Sequence, residues 1–217
     1  MYTVSTLHFT MPEYLDPKFL IETLGTIGVI AIVFAESGLF FGFFLPGDSL
    51  LFTAGLFASQ GHLPLNVLLI GSAFAAIVGD SVGYAFGKRV GPALFSKEDS
   101  FLFHKKHALR AETFYQKYGV KTILFARFVP IVRTFAPIVA GIGKMPYKTF
   151  ISWNIAGGLL WTQLSILSGY YLGQVVPGID TYIEYVIVGI IVVSILPIAI
   201  EILRERLKSQ QKKIENI

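Results

Sequence analysis

Five ionisable side chains lie inside or at the edge of apolar stretches of this 217-residue chain: Glu36, Asp48, Asp80, Arg127 and Arg133. Charged groups at membrane depth are costly, and they persist where they pair, line a wet cavity or act on a substrate. Their types narrow the chemistry. Two arginines can hold a phosphate through parallel N–H donors. Carboxylates beside them can compete for those donors and can carry protons. Glu36 closes the first apolar segment, and Asp48 follows the Pro46–Gly47 break. Arg127 and Arg133 flank Pro130. If the two segments meet, two carboxylates are expected to face two guanidiniums. The bland alternative is structural pairing, with Asp48 capping a half-helix. For buried pairs desolvation can cancel the attraction, so stability alone is a poor reason to keep them. Asp80 lies beside a glycine-lined helix face, where a packing hydrogen bond competes with a role in transport.

Composition says what surrounds these groups. Hydrophobic residues make up 53% and charged residues 15%, against roughly 25% charged in a soluble chain. Mean hydropathy is +0.63, so an integral membrane protein is expected. Cysteine is absent, which excludes a disulfide framework, a thiolate metal site and a thiol nucleophile. Apolar segments run over 19–45, 49–59, 65–87, 120–143, 148–173 and 182–200. A spanning helix needs about 20 residues. Segments 65–87, 148–173 and 182–200 have that length, and 19–36 barely has it. The stretches 37–59 and 120–143 are broken by Pro46-Gly47 and by Pro130 and Pro137. Non-helical backbone at membrane depth requires shielding by protein or water. Both are read as re-entrant hairpins, with a pair of kinked spanning helices as the alternative.

Charge orients the segments. Of 18 Lys and Arg residues, eight lie between 88 and 121 and five in the tail from Arg204 to Lys213. The positive-inside rule makes both regions cytoplasmic. The connections 61–64 and 174–180 carry no Lys or Arg and are expected outside. Both termini then lie inside. The hairpin 37–59 dips in from the outer face and 120–143 from the inner face. Nucleic-acid binding is not expected, because membrane-length segments split the basic islands. The N-terminus has no basic region before its apolar run, so the first segment is expected to be retained.

An ungapped shift of 86 residues places Ala54-Gly55 on Ala140-Gly141, Gly71 on Gly157, Gly83-Tyr84 on Gly169-Tyr170 and Gly87 on Gly173. The copies have opposite orientations by charge, which predicts inverted repeats with a site at their interface. The expected fold is an all-α integral membrane protein. It has a first helix (19–36), repeat 1 (37–91), a cytoplasmic amphipathic linker (92–119), repeat 2 (120–177), a last helix (182–200) and a basic tail (201–217). Each repeat is a re-entrant hairpin plus a spanning helix. In the linker, Ala111, Phe114, Tyr115 and Tyr118 share one helical face, and His104 and His107 lack further ligands for a metal. Gly79, Gly83, Gly87 and Gly91 fall on one face of 65–91. Internal packing is the better reading of that face, and a homodimer contact the lesser.

Several stretches together resemble the DedA family of bacterial membrane proteins, in the SNARE-associated or VTT-domain superfamily. They are FAESGLFFGFFLPGDSLLFTAG, GDSVGYAFGKRVG, FARFVPIVRTFAPIVAG and FISWNIAGGLLW, in that order over residues 28–173. The resemblance implies opposed re-entrant hairpins in inverted repeats. It also implies that Glu36, Asp48, Arg127 and Arg133 occupy the family's essential acidic and basic positions. Bacterial members are associated with membrane-potential and pH homeostasis, envelope stress and recycling of undecaprenyl phosphate. Related eukaryotic proteins act as lipid scramblases.

The expected function is therefore translocation of a lipid phosphate, most of all undecaprenyl phosphate, coupled to the proton gradient. Arg127 and Arg133 would clamp the head, and Glu36 and Asp48 would couple protons. Asp80, Asn154 and Trp161 are expected to support the site. The partners are a membrane lipid and protons, with no cofactor and no metal. A proton-coupled antiporter for a small ion or solute and a passive phospholipid scramblase remain as alternatives. An enzyme is not expected. No Pro-Ser-Gly-His element or apolar-segment histidine suits a phosphatase, and no Walker loop suits ATP.

Overall fold

The computed structural model describes residues 17–39, 45–94, 121–176 and Gly189. The linker beyond residue 94, the last helix and the basic tail lie outside the described residues, apart from Gly189. The chain divides into two units, Met1–Val175 and Val176–Ile217, and the helices below belong to the first. They are α1 (Pro17–Gly38), α2 (Gly47–Ser59), α3 (Leu65–Leu94), α4 (Lys121–Ala126), α5 (Pro130–Ile142) and α6 (Tyr147–Val175). No strand occurs among the described residues.

Two of these helices, α1 and α3, are long and apolar enough to cross a membrane. The first is not the single rod expected over 19–36. Its backbone breaks at Gly25, with φ 60° and ψ −160°, a conformation open essentially to glycine alone. Helix geometry resumes after the break and runs past Glu36 to Gly38. The prolines also act differently from one another. Pro46 is the N-cap of α2, and Pro130 begins α5, where a missing N–H costs nothing. Pro137 does not end α5, which continues through it. It removes the helical donor that the Arg133 carbonyl would otherwise receive. Helices α2 and α5 have 13 residues each. At 1.5 Å per residue each rises about 20 Å, short of the ~30 Å hydrocarbon core.

The short helices pack on the long ones crosswise in sequence. Helix α2 lies along α6, and α5 lies along α3. Glycines set the closeness of both contacts. A Cβ on Gly169 would collide with the Phe52 carbonyl, and one on Gly55 with the Ile166 carbonyl. In the other contact, a Cβ on Gly87 would collide with the Ile138 carbonyl, and one on Gly141 with the Tyr84 carbonyl. The neighbours Gly83–Ile138 and Gly169–Phe52 correspond to each other under the 86-residue shift. Gly79 meets Gly38 and the Phe34 carbonyl on α1. From Gly79 to Gly87 the glycine face of α3 is thus filled from within the chain, which leaves no room there for a second copy.

One core cluster joins Val29 and Val33 of α1, Leu50, Leu51 and Ala54 of α2, Leu68 and Ala76 of α3, and Trp161 and Ile166 of α6. A second gathers Tyr84, Ile123, Ala140, Met145 and Phe150. Outward positions are also apolar: Ile27, Ile70, Phe74 and Leu164 are all exposed. A water-facing surface would not hold so many large apolar groups, whereas acyl chains receive them at no cost.

The close α2–α6 contact makes a stability prediction. Gly169→Leu forces side-chain atoms into the Phe52 carbonyl and should cost about 1–3 kcal/mol or more. Leu164→Ala on the outward face of the same helix should change stability by about 0.5 kcal/mol or less. Thermal unfolding in detergent checks both. Equal melting temperatures for the two variants would show that the glycine contact does not set the packing.

Candidate functional site

The two short helices each begin at the buried charges. Arg133 projects from the first turn of α5, and Asp48 from the first turn of α2. Glu36 comes from the last turn of α1. The Arg133 Nη2 group donates to Glu36 Oε1, and Nη1 donates to Asp48 Oδ1 at 2.8 Å. The same Asp48 oxygen accepts the Trp161 indole N–H at 2.7 Å. The guanidinium carbon lies 4.3 Å from the centre of the Trp161 ring, a cation–π geometry. Arg133 is thus held on three sides. Its side chain and that of Glu36 are each 2% exposed, but Asp48 is 28% exposed. Asp48 is therefore the open edge of the cluster.

Gly47 makes this meeting possible. A Cβ there would coincide with the Glu36 carboxylate, so only glycine lets the end of α1 reach the start of α2. Placing Asp48 in the first turn of α2 also sets a negative charge against the positive end of the helix dipole.

Arg127 belongs to a second cluster. It occupies the turn between α4 and α5. Its Nη2 group donates to Asp80 Oδ2 on α3 and to Asn154 Oδ1 on α6. Asn154 in turn donates through Nδ2 to the Ile77 carbonyl at 2.9 Å. That bond fixes which way the amide points, because its NH₂ is committed to a backbone oxygen. Gly157 and Gly158 leave the space that the guanidinium fills: a Cβ on Gly157 would crowd Arg127 Cδ at 2.9 Å.

The expected partners are redistributed. Two carboxylates do not face two guanidiniums pairwise. Both Glu36 and Asp48 converge on Arg133, and Arg127 takes Asp80 instead. Asp80 is an ion-pair partner in its own right, not merely a packing group beside the glycines. Nor does Asp48 cap a half-helix: Pro46 is the N-cap of α2, and no side-chain cap bond forms there. The reason is competition, since a charge-assisted bond to a guanidinium outweighs a neutral backbone donor. Asn154 and Trp161 each contact the buried ions directly. Gly47 and the Gly157–Gly158 pair were not singled out as site residues. Their signal was in the sequence all the same, as glycines adjoining a charged or polar motif.

The set is not saturated. Arg127 Nε and Nη1, Arg133 Nε, Asp80 Oδ1 and the Thr134 hydroxyl are buried without protein partners. Buried polar atoms are rarely left so, and the unspent N–H groups are the kind that an oxyanion accepts from. Three carboxylates stand against two guanidiniums, so the set is one charge negative when every member is ionised. Among the described residues no group of three His, Cys, Asp or Glu is placed to hold a metal ion.

Comparison with known proteins identifies the family. The VTT domain family matches residues 45–171, more than half of the chain. Protein DedA of Escherichia coli strain K12 is 49% identical over 177 residues, covering 81% of this chain and 80% of that protein. An uncharacterized membrane protein of Mycobacterium tuberculosis is 41% identical over 202 residues, covering 89% and 88%. One of Mycobacterium leprae is 40% identical over 200 residues, covering 89% of each. No solved structure matches. With its apolar helices and buried ion clusters, the chain belongs to the DedA family of membrane proteins.

Proposed function

We propose that this protein is a translocase for a lipid phosphate, undecaprenyl phosphate above all, driven by protons and performing no covalent chemistry. The observation that carries the reading is Arg133, buried between Glu36 and Asp48 and stacked on Trp161, with a donor left over. Stability alone is a weak reason for such a set, because desolvating an arginine and two carboxylates can cancel their attraction. A site that must exchange partners does explain it.

The cycle follows from charge counting. With all members ionised, the excess negative charge repels a phosphate. A proton on Asp48, the most accessible carboxyl, removes one competitor and frees Arg133 Nη1. The phosphate then takes that donor, and the unspent N–H groups of Arg127 supply further bonds. Loss of the proton restores Asp48 as an acceptor and ejects the head group. The polyprenyl tail can stay in the bilayer throughout.

In this reading α2 and α5, too short to cross alone, are arms of re-entrant hairpins entering from opposite faces. The crosswise contacts of α2 with α6 and of α5 with α3 are then two copies of one interface in an inverted repeat. Several spans cross the plasma membrane, with the basic end of α3 on the cytoplasmic side. A second reading is favoured by the negative excess itself: a small cation could neutralise it, making the protein a proton-coupled antiporter.

Transport in proteoliposomes separates these readings. Labelled undecaprenyl phosphate should cross with a pH gradient, and labelled phosphatidylethanolamine should not. Equal movement of both would indicate a passive scramblase, and proton-coupled cation flux with neither lipid moving would establish the antiporter. Arg133→Lys keeps the charge but loses the paired donors, and should slow transport at least about tenfold. Wild-type rates in that variant would refute the clamp. Asp48→Asn should keep lipid-phosphate binding and lose its dependence on the gradient. A gradient dependence that survived this change would place the coupling proton elsewhere.

A further inference from the structure

The exposed cations of the described unit are unevenly placed. Lys88 and Arg89 lie near the end of α3, and Lys144 and Lys148 flank the turn from α5 to α6. The two groups are at one level of the structure. The Tyr84 hydroxyl donates to the Met145 carbonyl of that turn at 2.5 Å, and the Tyr84 and Tyr147 rings lie 5.4 Å apart. Among the described residues no carboxylate pairs with them. The described acids are Glu22, which pairs with Lys18 at 4.0 Å, and the buried-site residues Glu36, Asp48 and Asp80. The stretch 95–120, outside the described residues, has five basic and three acidic residues. At the opposite end, the connection 60–64 carries no Lys, Arg, Asp or Glu.

Between these elements is an open cleft of about 670 Å³, lined by Ser81, Tyr84, Ala85, Lys88, Arg89 and Tyr147. Its hydroxyls are already engaged. Tyr84 is bound to Met145, and Ser81 donates to the Ile77 carbonyl. Tyr147 leans on Ser81 at 3.4 Å. Lys88 and Arg89 form no ion pair among the described residues. The cleft therefore offers uncommitted cationic donors above aromatic and aliphatic walls. That combination suits a phosphoryl group attached to an apolar body.

We infer that the cleft between α3 and the start of α6 is a binding site for a phosphoryl head group, held by Lys88 and Arg89, with the adjoining glycerol or chain against Tyr84 and Tyr147. This site is separate from the buried clusters. It draws on no residue of theirs. It does not require that the protein transport lipid, since a static anionic lipid or a free phosphate would be held by the same groups.

The test is retention of added phosphatidylglycerol by the detergent-solubilised full chain, read by native mass spectrometry against diacylglycerol. Phosphatidylglycerol should be retained and diacylglycerol should not. Lys88→Gln with Arg89→Gln should weaken retention about 30-fold, from roughly a fivefold loss for each cation near the surface. Ala85→Trp fills the cleft and keeps both charges, and should also abolish retention. Arg133→Lys, which disables the proposed transport site, should leave it unchanged. Competition by inorganic phosphate identifies the source: displacement at millimolar concentration makes the ligand a free phosphate, and resistance makes it a lipid head group. Equal retention of the two lipids, or wild-type retention in either the double variant or Ala85→Trp, would overturn the site.

Discussion

A guanidinium cannot be left bare in a membrane interior, and most of this architecture answers that constraint. Arg133 and Arg127 are each 2–3% exposed. Each needs acceptors delivered by other helices, and those acceptors come from far along the chain. Arg133 draws on Glu36 of α1 and Asp48 of α2, and Arg127 draws on Asp80 of α3 and Asn154 of α6. Among the described residues, every helix longer than one turn or two therefore contributes to one ion cluster or the other. The charges act as the register pins of the bundle. Slide any one helix by a turn and a buried charge loses its partner, at a cost of several kcal/mol.

Glycine is the complementary device. Ion pairs demand that helix ends meet at side-chain length, and the glycines permit it. Gly47 leaves the volume occupied by the Glu36 carboxylate, and Gly157 leaves room for the Arg127 stem. Without water, apolar burial cannot drive helices together in lipid, so close backbone approach and polar bonds must do it. The close backbone approaches are concentrated on two contacts, α2 with α6 and α3 with α5, and the ion pairs tie the remaining elements to Arg133 and Arg127. The same glycines recur 86 residues apart because both contacts face the same problem.

Much of this was legible in the sequence. Charged residues inside apolar runs marked Glu36, Asp48, Arg127 and Arg133, and the proline breaks marked where short helices begin. Partner choice was not legible. Spacing along the chain cannot say whether Asp48 or Asp80 reaches Arg127, because that depends on how α3 and α5 pack. The break at Gly25 was equally silent. A glycine within an apolar helix usually reads as a tolerated small residue, and nothing local separates it from one with positive φ. Pro137 misled in the other direction: it is continued by the helix, at the expense of one bond to the Arg133 carbonyl.

The two clusters differ in a way that bears on their division of labour. Around Arg127 every acceptor is deep: Asp80 and Asn154 are both buried, and Asn154 is locked to the Ile77 carbonyl. Around Arg133 one acceptor, Asp48, is over a quarter exposed. Only a carboxyl that solvent can reach exchanges protons without opening the bundle. In the proposed cycle the proton-dependent change of partner is therefore assigned to Arg133, where one competitor can leave while Glu36 and the Trp161 ring still hold the guanidinium. Arg127 is better suited to being a fixed counter-charge, with donors already oriented and no rearrangement required before an anion arrives. Fixed donors on one side and exchangeable acceptors on the other are what a site needs in order to bind an oxyanion and then release it.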